Sequence, residues 1–322
     1  MIDFRYHLVS ILAIFLALTV GLVLGATALQ DSTLRGLRAT SNSLHKDNNN
    51  LRDSNAQLKK QAAGEEQFAA GLAAQNVAAR LKDQSVLFVQ TPGGAEAIHS
   101  QLAKLIPLAG GHVTGEVTIQ DKFLADDQQS TVDALTNQYV SQVPGSASGD
   151  VYARAGAVLA SAIVTKDATR KDHEDTTSTG IVSAFESAGF ITTSGRPASH
   201  ATLAIVIAPS NPYQPKTADG DYKALISMTA ALDDGNMGTV MAGPLTAAQD
   251  GGLINALRNS GTSDKVSSVD MADYSSGQTV TVLALQNEMG GNSGAYGIGP
   301  GVSGYLPSPV PSPMASPSAK GT

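Results

Sequence analysis

The sequence predicts an α/β protein in which an N-terminal transmembrane helix and a coiled coil precede a parallel-sheet domain of the Rossmann-like or flavodoxin-like type. Three observations predict it: a charge-free apolar run near the start, a leucine heptad behind that run, and short apolar runs alternating with helical periods over the remainder. We expect a short tail at 1–7, a transmembrane helix at 8–30, a coiled-coil stalk at 31–80, an α/β domain at 82–292 and a disordered Gly/Pro/Ser tail at 293–322.

The composition excludes several classes of function. The chain has 322 residues, a net charge of −7, and neither cysteine nor tryptophan. A negative balance argues against a nucleic-acid partner, because phosphate binding needs clustered positive charge. The lack of cysteine excludes disulfides, thiolate metal sites and cysteine nucleophiles.

The first apolar run has the length of a membrane span. Residues 8–29 carry no charged side chain, and about 20 helical residues cross the hydrocarbon layer of a bilayer. A signal-peptide cleavage site after Ala28 is an alternative, but the start is not purely basic, since Asp3 accompanies Arg5, and the run is longer than a typical signal. We favour an uncleaved single-pass anchor; a cleaved signal and a buried soluble helix stay open.

The charges that flank this run do not decide its orientation. Arg5 precedes it, whereas Arg35, Arg38 and Lys46 follow it. The positive-inside rule then slightly favours a cytoplasmic C-terminal domain.

A leucine heptad follows the anchor. Leucines occupy the d positions and asparagines two of the a positions: Leu37, Leu44, Leu51, Leu58, Asn48 and Asn55. Leucine at d with asparagine at a is typical of a parallel two-stranded coiled coil. We therefore predict a parallel dimer or higher oligomer of this chain; a single amphipathic helix packed on its own domain is the alternative.

The anchor also contains a G-x-x-x-G pair, Gly21 and Gly25, which is typical of closely packed membrane helices. Counted back from the heptad, the two glycines lie mostly opposite the a/d seam. Either the helix rotates or breaks near residues 28–32, or the glycines serve a different contact.

From residue 82 the apolar pattern becomes that of alternating strands and helices. We predict strands at 84–90, 112–120, 201–208, 238–242 and 265–269, and helices at 95–108, 127–143, 150–166, 179–188, 221–232, 247–259 and 278–289. Such alternation predicts a parallel sheet that helices cover on both faces.

The sequence contains few candidate binding or catalytic residues. The loops at 91–96 and 211–221 follow predicted strands, where ligands bind in open α/β sheets, but neither matches a phosphate-binding motif. The sequence has no nucleophile elbow and indicates no enzyme and no cofactor. His173 lies in an acidic run and is a weak metal candidate, with a solvated charged segment as the alternative.

The first residues are the most specific part of the chain. The segment IDFRYHLVS at 2–10, FLAL at 15–18 and the pair Gly21 and Gly25 together resemble the MctB family of actinobacterial copper transporters, also described as outer-membrane channel proteins. The resemblance implies a role in copper efflux or homeostasis, as an oligomeric channel or a channel component, with copper as the transported ion. It also implies a cell-envelope location and an extracytoplasmic C-terminal domain.

The copper ligands are not evident from the sequence. Cu⁺ prefers sulfur ligands, and the one close methionine pair is Met237 with Met241, which also suits a hydrophobic core. The main alternative is an envelope scaffold whose α/β domain binds a partner protein or glycan. An enzyme or a nucleotide-binding sensor is the third.

Overall fold

The computed structural model describes residues 4–143 and 149–314, apart from the side chains at 27–34. The chain divides into two units, residues 1–65 and 66–322.

A single helix, α1 (Phe4–Val77, 74 residues), makes up the first unit and enters the second. Its backbone is helical through residues 28–32, so the helix does not break there, and a rotation of the helix or a different contact of the glycines stays a prediction. Residues 28–32 include neither Gly nor Pro, and Ala28, Leu29 and Gln30 are good helix formers, so the local sequence does not end the helix here. The segment Phe4–Ala26 has a mean hydropathy of 2.7 and is long and apolar enough to cross a membrane.

The second unit contains a seven-stranded sheet in the order β3-β2-β1-β4-β5-β6-β7. Its strands are β1 (Ser85–Gln90), β2 (His112–Ile119), β3 (Ile191–Gly195), β4 (Leu203–Ile207), β5 (Thr239–Ala242), β6 (Ser267–Val269) and β7 (Ala295–Tyr296). All pairs are parallel except β2 with β3. The α/β fold is thus confirmed, and the strand order is that of the Rossmann type rather than the flavodoxin type.

Nine further helices follow α1 in the described part of the chain. They are α2 (Glu96–Leu108), α3 (Asp121–Leu124), α4 (Gln129–Tyr139), α5 (Val151–Ile163), α6 (Thr176–Ser187), α7 (Ala218–Gly235), α8 (Leu245–Ala248), α9 (Leu253–Arg258) and α10 (Ser275–Met289). Helices α2 and α10 and the end of α1 pack on one face of the sheet, and α3 to α9 pack on the other.

Strand β1 shows how the two faces arise. Its side chains alternate between them: Val86 and Phe88 join the cluster under α2 and α10, whereas Leu87 and Val89 join the cluster under α5 and α7. Every residue of β1 is buried, as expected for a central strand covered on both sides.

One strand was not predicted, and one predicted helix is divided in the structure. The edge strand β3 has the sequence ITTSG and only one buried residue, so it lacked the apolar pattern of a strand. The helix predicted at 247–259 is two short helices, because Gly251 has a φ of +80° and a Cβ on Gly252 would lie 2.2 Å from the Ala247 carbonyl oxygen.

The predicted boundary at 292 also falls too early. Tyr296 is buried in β7, and the following residues fold over Asp270, whose carboxylate accepts hydrogen bonds from the N–H groups of Ile298 and Gly299 at 2.9 Å each. The segment farther on contacts the domain at Met314, whose N–H donates to Ala79 O at 3.1 Å. Residues 315–322 of the predicted tail lie outside the described residues.

Candidate functional site

In an open α/β sheet, ligands bind at the carboxyl ends of the strands where the chain order reverses, here between β1 and β4. This crevice is closed by the backbone of the protein itself. The Thr91 N–H donates to Ile207 O at 3.2 Å, and the Ser210 N–H donates to Gly93 O at 3.1 Å. A Cβ on Gly94 would lie 2.9 Å from Thr91 O. The loop at 91–96 is therefore a closed turn, and a dinucleotide does not fit here without opening it.

Ring stacking and hydrogen bonds also hold the loop at 211–221 in place. Tyr213 and Tyr222 stack with ring centroids 5.0 Å apart. The Tyr213 hydroxyl donates to Pro92 O at 2.7 Å, and the Tyr222 hydroxyl donates to Gly251 O at 2.9 Å. The two tyrosines thus join three segments at this edge of the sheet.

Ionisable side chains do converge next to the closed crevice, between the first turn of α2 and the ends of β1 and β2. Glu96, His99 and Glu116 offer one ligand atom each, and these atoms lie within 4.8 Å of one another. The distance from His99 Nδ1 to Glu96 Oε1 is 3.4 Å, and that from His99 Nε2 to Glu116 Oε2 is 3.6 Å. One imidazole therefore stands between two carboxylates.

Gln90, the last residue of β1, holds the two carboxylates in place. Its Nε2 donates to Glu96 Oε2 at 2.9 Å and also to Glu116 Oε1. The other oxygen of each carboxylate is left to face His99. The hydrogen bond from Gln90 is the main reason why the pKa of Glu96 lies below its usual value.

The three side chains differ in how far they are exposed to solvent. The side chain of Glu96 is 71% exposed, whereas those of His99 and Glu116 are 15% and 18% exposed. The His99 ring packs edge-on against Phe88 at 4.8 Å, which fixes the plane of the imidazole. Glu96 and Glu116 line a cavity of about 400 Å³.

The structure places the sequence-predicted metal candidates elsewhere. His173 is exposed, and its carbonyl oxygen accepts a hydrogen bond from His200 Nδ1 at 2.7 Å. Met241 is fully buried in the core under α5 and α7. Met237 precedes β5 and is 38% exposed.

The candidate association residues lie along α1 with their side chains exposed. The four d-position leucines are between 61% and 68% exposed: Leu37, Leu44, Leu51 and Leu58. Asn48 and Asn55 are exposed as well. A Cβ on Gly21 or Gly25 would meet no atom within 4 Å in the described residues.

Comparison with known proteins identifies the family. The family model described as "Copper transport outer membrane protein, MctB" matches residues 1–307. The chain belongs to the MctB family. Among curated relatives, the "Copper transporter MctB" of Mycobacterium tuberculosis (strain H37Rv) is 26% identical over 307 residues, which cover 94% of this chain and 98% of the relative. The protein of the same name from Mycobacterium leprae is 26% identical over 313 residues, with the same coverage. The resemblance seen in the first residues is confirmed, and the match favours copper transport over the scaffold alternative.

The sequence predictions for this MctB-family protein did not include the Glu96, His99 and Glu116 cluster. The spacing of Glu96 and His99 places both on one face of a helix, and this was the one local signal. Glu116 and Gln90 join them only through the pairing of β1 with β2, in which Phe88 lies opposite Glu116 and Gln90 lies opposite Thr118.

Proposed function

We propose that this protein takes part in copper efflux and homeostasis at the cell envelope. The match of the family model to residues 1–307 carries the proposal, because it covers the apolar helix, the stalk and the α/β domain together. The relatives over this length are named copper transporters. Copper ions are the cargo.

The proposal includes membrane anchoring by residues 4–26. This segment is the one candidate span in the described part of the chain, and none of its residues is buried. An exposed 23-residue apolar helix is unfavourable in water, whereas a bilayer buries it. The proposal also places the C-terminal domain outside the cytoplasm; the description of the family as an outer membrane protein supports this, and protease access in intact spheroplasts tests it. Protection of the domain until the membrane is lysed would contradict that position.

The stalk is proposed to pair with a second copy of this chain. Its exposed d-position leucines repeat every seven residues, and a partner helix buries such a stripe. Asparagine at two a positions favours the two-stranded parallel arrangement. Copies paired in this way place two anchors side by side, and further assembly of such pairs is the route by which single spans can contribute to a channel.

The test is the copper content of cells. We compare a strain that lacks this gene, the same strain with the full-length gene restored, and the wild type, all grown at high copper. We expect the deletion strain to hold more copper per cell and to grow more slowly, and the restored gene to reverse both. Cell-associated zinc, measured in the same samples, is the control. Equal copper content and growth in all three strains would reject copper transport.

A further inference from the structure

The cluster of Glu96, His99 and Glu116 has the composition and spacing of a cation site. Its three ligand atoms lie within 4.8 Å of one another. Ligand atoms at about 2.0–2.2 Å from a single ion lie about 3–4 Å apart, so a contraction of about 1–2 Å brings them into coordination. The exposed Glu96, on the first turn of α2, has the freedom to make this movement.

A buried amide holds one oxygen of each carboxylate before an ion arrives. Gln90 is 7% exposed, and its amide nitrogen donates to one oxygen of Glu96 and one of Glu116. Thr118 Oγ1 lies 3.3 Å from the same oxygen of Glu116. Ligating carboxylates in metal sites are commonly held by such outer hydrogen bonds. The remaining oxygen of Glu96 faces His99 Nδ1 and that of Glu116 faces His99 Nε2. A single ion takes one ring nitrogen, so the carboxylate beside the other nitrogen turns toward that ion when it binds.

The electrostatic surroundings favour a cation. The cavity at the cluster shares Asp121 with a neighbouring cavity of about 430 Å³. Together their linings contain five carboxylates: Glu96, Glu116, Asp121, Asp126 and Asp221. None of the described residues that line the two cavities is Lys or Arg. A concave surface of one sign concentrates ions of the opposite charge.

We propose that Glu96, His99 and Glu116 bind one divalent cation, with Gln90 as a positioning residue, and that the site prefers Cu²⁺ to Cu⁺. Imidazole and carboxylate ligands suit divalent first-row metals, among which Cu²⁺ binds most tightly, whereas Cu⁺ prefers sulfur. The choice of copper among these metals rests on the proposed function. The site extends the proposed function, because it specifies Cu²⁺ as the form of copper that the domain binds.

The experiment titrates the full chain in detergent micelles with Cu²⁺ alone, by calorimetry and by electron paramagnetic resonance. We expect one ion bound with nitrogen and oxygen donors, and at least a tenfold weaker affinity in His99→Asn and in Glu116→Gln. His112→Asn is the matched control, because His112 also pairs with a carboxylate, that of Asp172 at 2.8 Å, outside the two cavities. Circular dichroism checks that each variant is folded. If His99→Asn does not fold, the affinity of Glu116→Gln alone tests the site.

The outcomes separate this site from the proposed function. Wild-type affinity in both Glu116→Gln and a folded His99→Asn, or the absence of stoichiometric Cu²⁺ binding, overturns the site. Tighter binding of Cu⁺, titrated under reducing conditions, overturns the preference. If the deletion strain accumulates copper but the purified chain does not bind Cu²⁺, the site is rejected and the proposed transport function is retained. Binding at His99 together with normal copper content of the deletion strain supports the site and rejects transport.

Discussion

Glu66, near the end of α1, caps the N-terminus of α10 at Ser275. Its carboxylate accepts hydrogen bonds from the Ser275 N–H at 3.0 Å and from the Ser275 hydroxyl at 2.5 Å. The N-cap residue of α10 itself, Tyr274, makes no side-chain hydrogen bond of this kind. A residue distant in sequence thus accepts a hydrogen bond from the first free N–H group of a helix whose N-cap residue provides no side-chain cap.

We expect Glu66→Ala to destabilise the α/β domain by about 1 kcal/mol, since loss of an N-cap costs roughly that amount. Urea unfolding of the full chain, followed by circular dichroism, measures the change. The control is Glu65→Ala, because the exposed Glu65 accepts a hydrogen bond only from Gln61 on the same helix among the contacts of the described residues. Equal unfolding midpoints for the two variants would contradict the cap.

A buried ion pair fastens the segment after β7. Arg258 and Asp270 are 3% and 0% exposed, and Arg258 Nη1 lies 2.7 Å from Asp270 Oδ2. We expect Arg258→Ala to cost about 3–5 kcal/mol, because it leaves a buried carboxylate without its partner. The Lys265–Asp234 pair is the control: both side chains are more than half exposed, so Lys265→Ala should cost less than about 1 kcal/mol.

Chemical denaturation measures both variants, and limited proteolysis reports on residues 297–314. In Arg258→Ala we expect faster cleavage of this segment, since Arg258 also donates to Tyr296 O and Pro300 O. A variant with unchanged stability and cleavage would show that the pair does not hold the segment.

Glu288 makes the stability of the domain depend on pH. Burial raises the pKa of Glu288 to about 8, although the Ser267 N–H donates to its Oε1 at 2.7 Å. The folded state therefore binds a proton that the unfolded state, with a glutamate pKa near 4.5, has already released. The free energy of unfolding should fall as pH rises from about 4.5 to about 8, by up to about 5 kcal/mol at about 1.4 kcal/mol per pKa unit.

Glu288→Gln should flatten this dependence and raise stability at pH 8. Urea unfolding at pH 5, 6.5 and 8 measures it, with the exposed Asp264→Asn as the control. Burial also raises the pKa of Asp233 to about 6. In both the wild type and Glu288→Gln, this carboxyl therefore lowers the free energy of unfolding by a smaller amount, over a lower pH range. A Glu288→Gln protein that loses as much stability between pH 6.5 and pH 8 as the wild type would refute the assignment.

The coiled coil is tested by replacing Leu44 and Leu51 together with asparagine. We expect the variant to sediment as a monomer in detergent, because polar side chains at d remove the apolar seam. The control replaces Lys46 with Gln and Asp53 with Asn, both at outward-facing f positions, and should keep the wild-type oligomer. Chemical cross-linking that still traps a dimer of the leucine variant would argue against the zipper.

The elements that depend on short-range periodicity were predictable. The apolar helix and most strands and helices of the α/β domain were identified correctly, because alternation and helical spacing involve neighbouring residues only. Strand β3 was missed, since a polar edge strand has no buried face to produce a pattern. The early boundary at 292 has a similar cause: the segment around Tyr296 is Gly- and Ser-rich, and its contacts are with Arg258 and Asp270, far from it in sequence.

The fold class and the family can be read from the sequence, because these are encoded in local pattern and in the specific first residues. The candidate cation site was decided only by the tertiary structure. Glu96 and His99 share one helical turn, but Glu116 and Gln90 reach them through the register of two parallel strands. The register depends on how both faces of the sheet pack against their helices, and no local pattern in a single sequence records that packing.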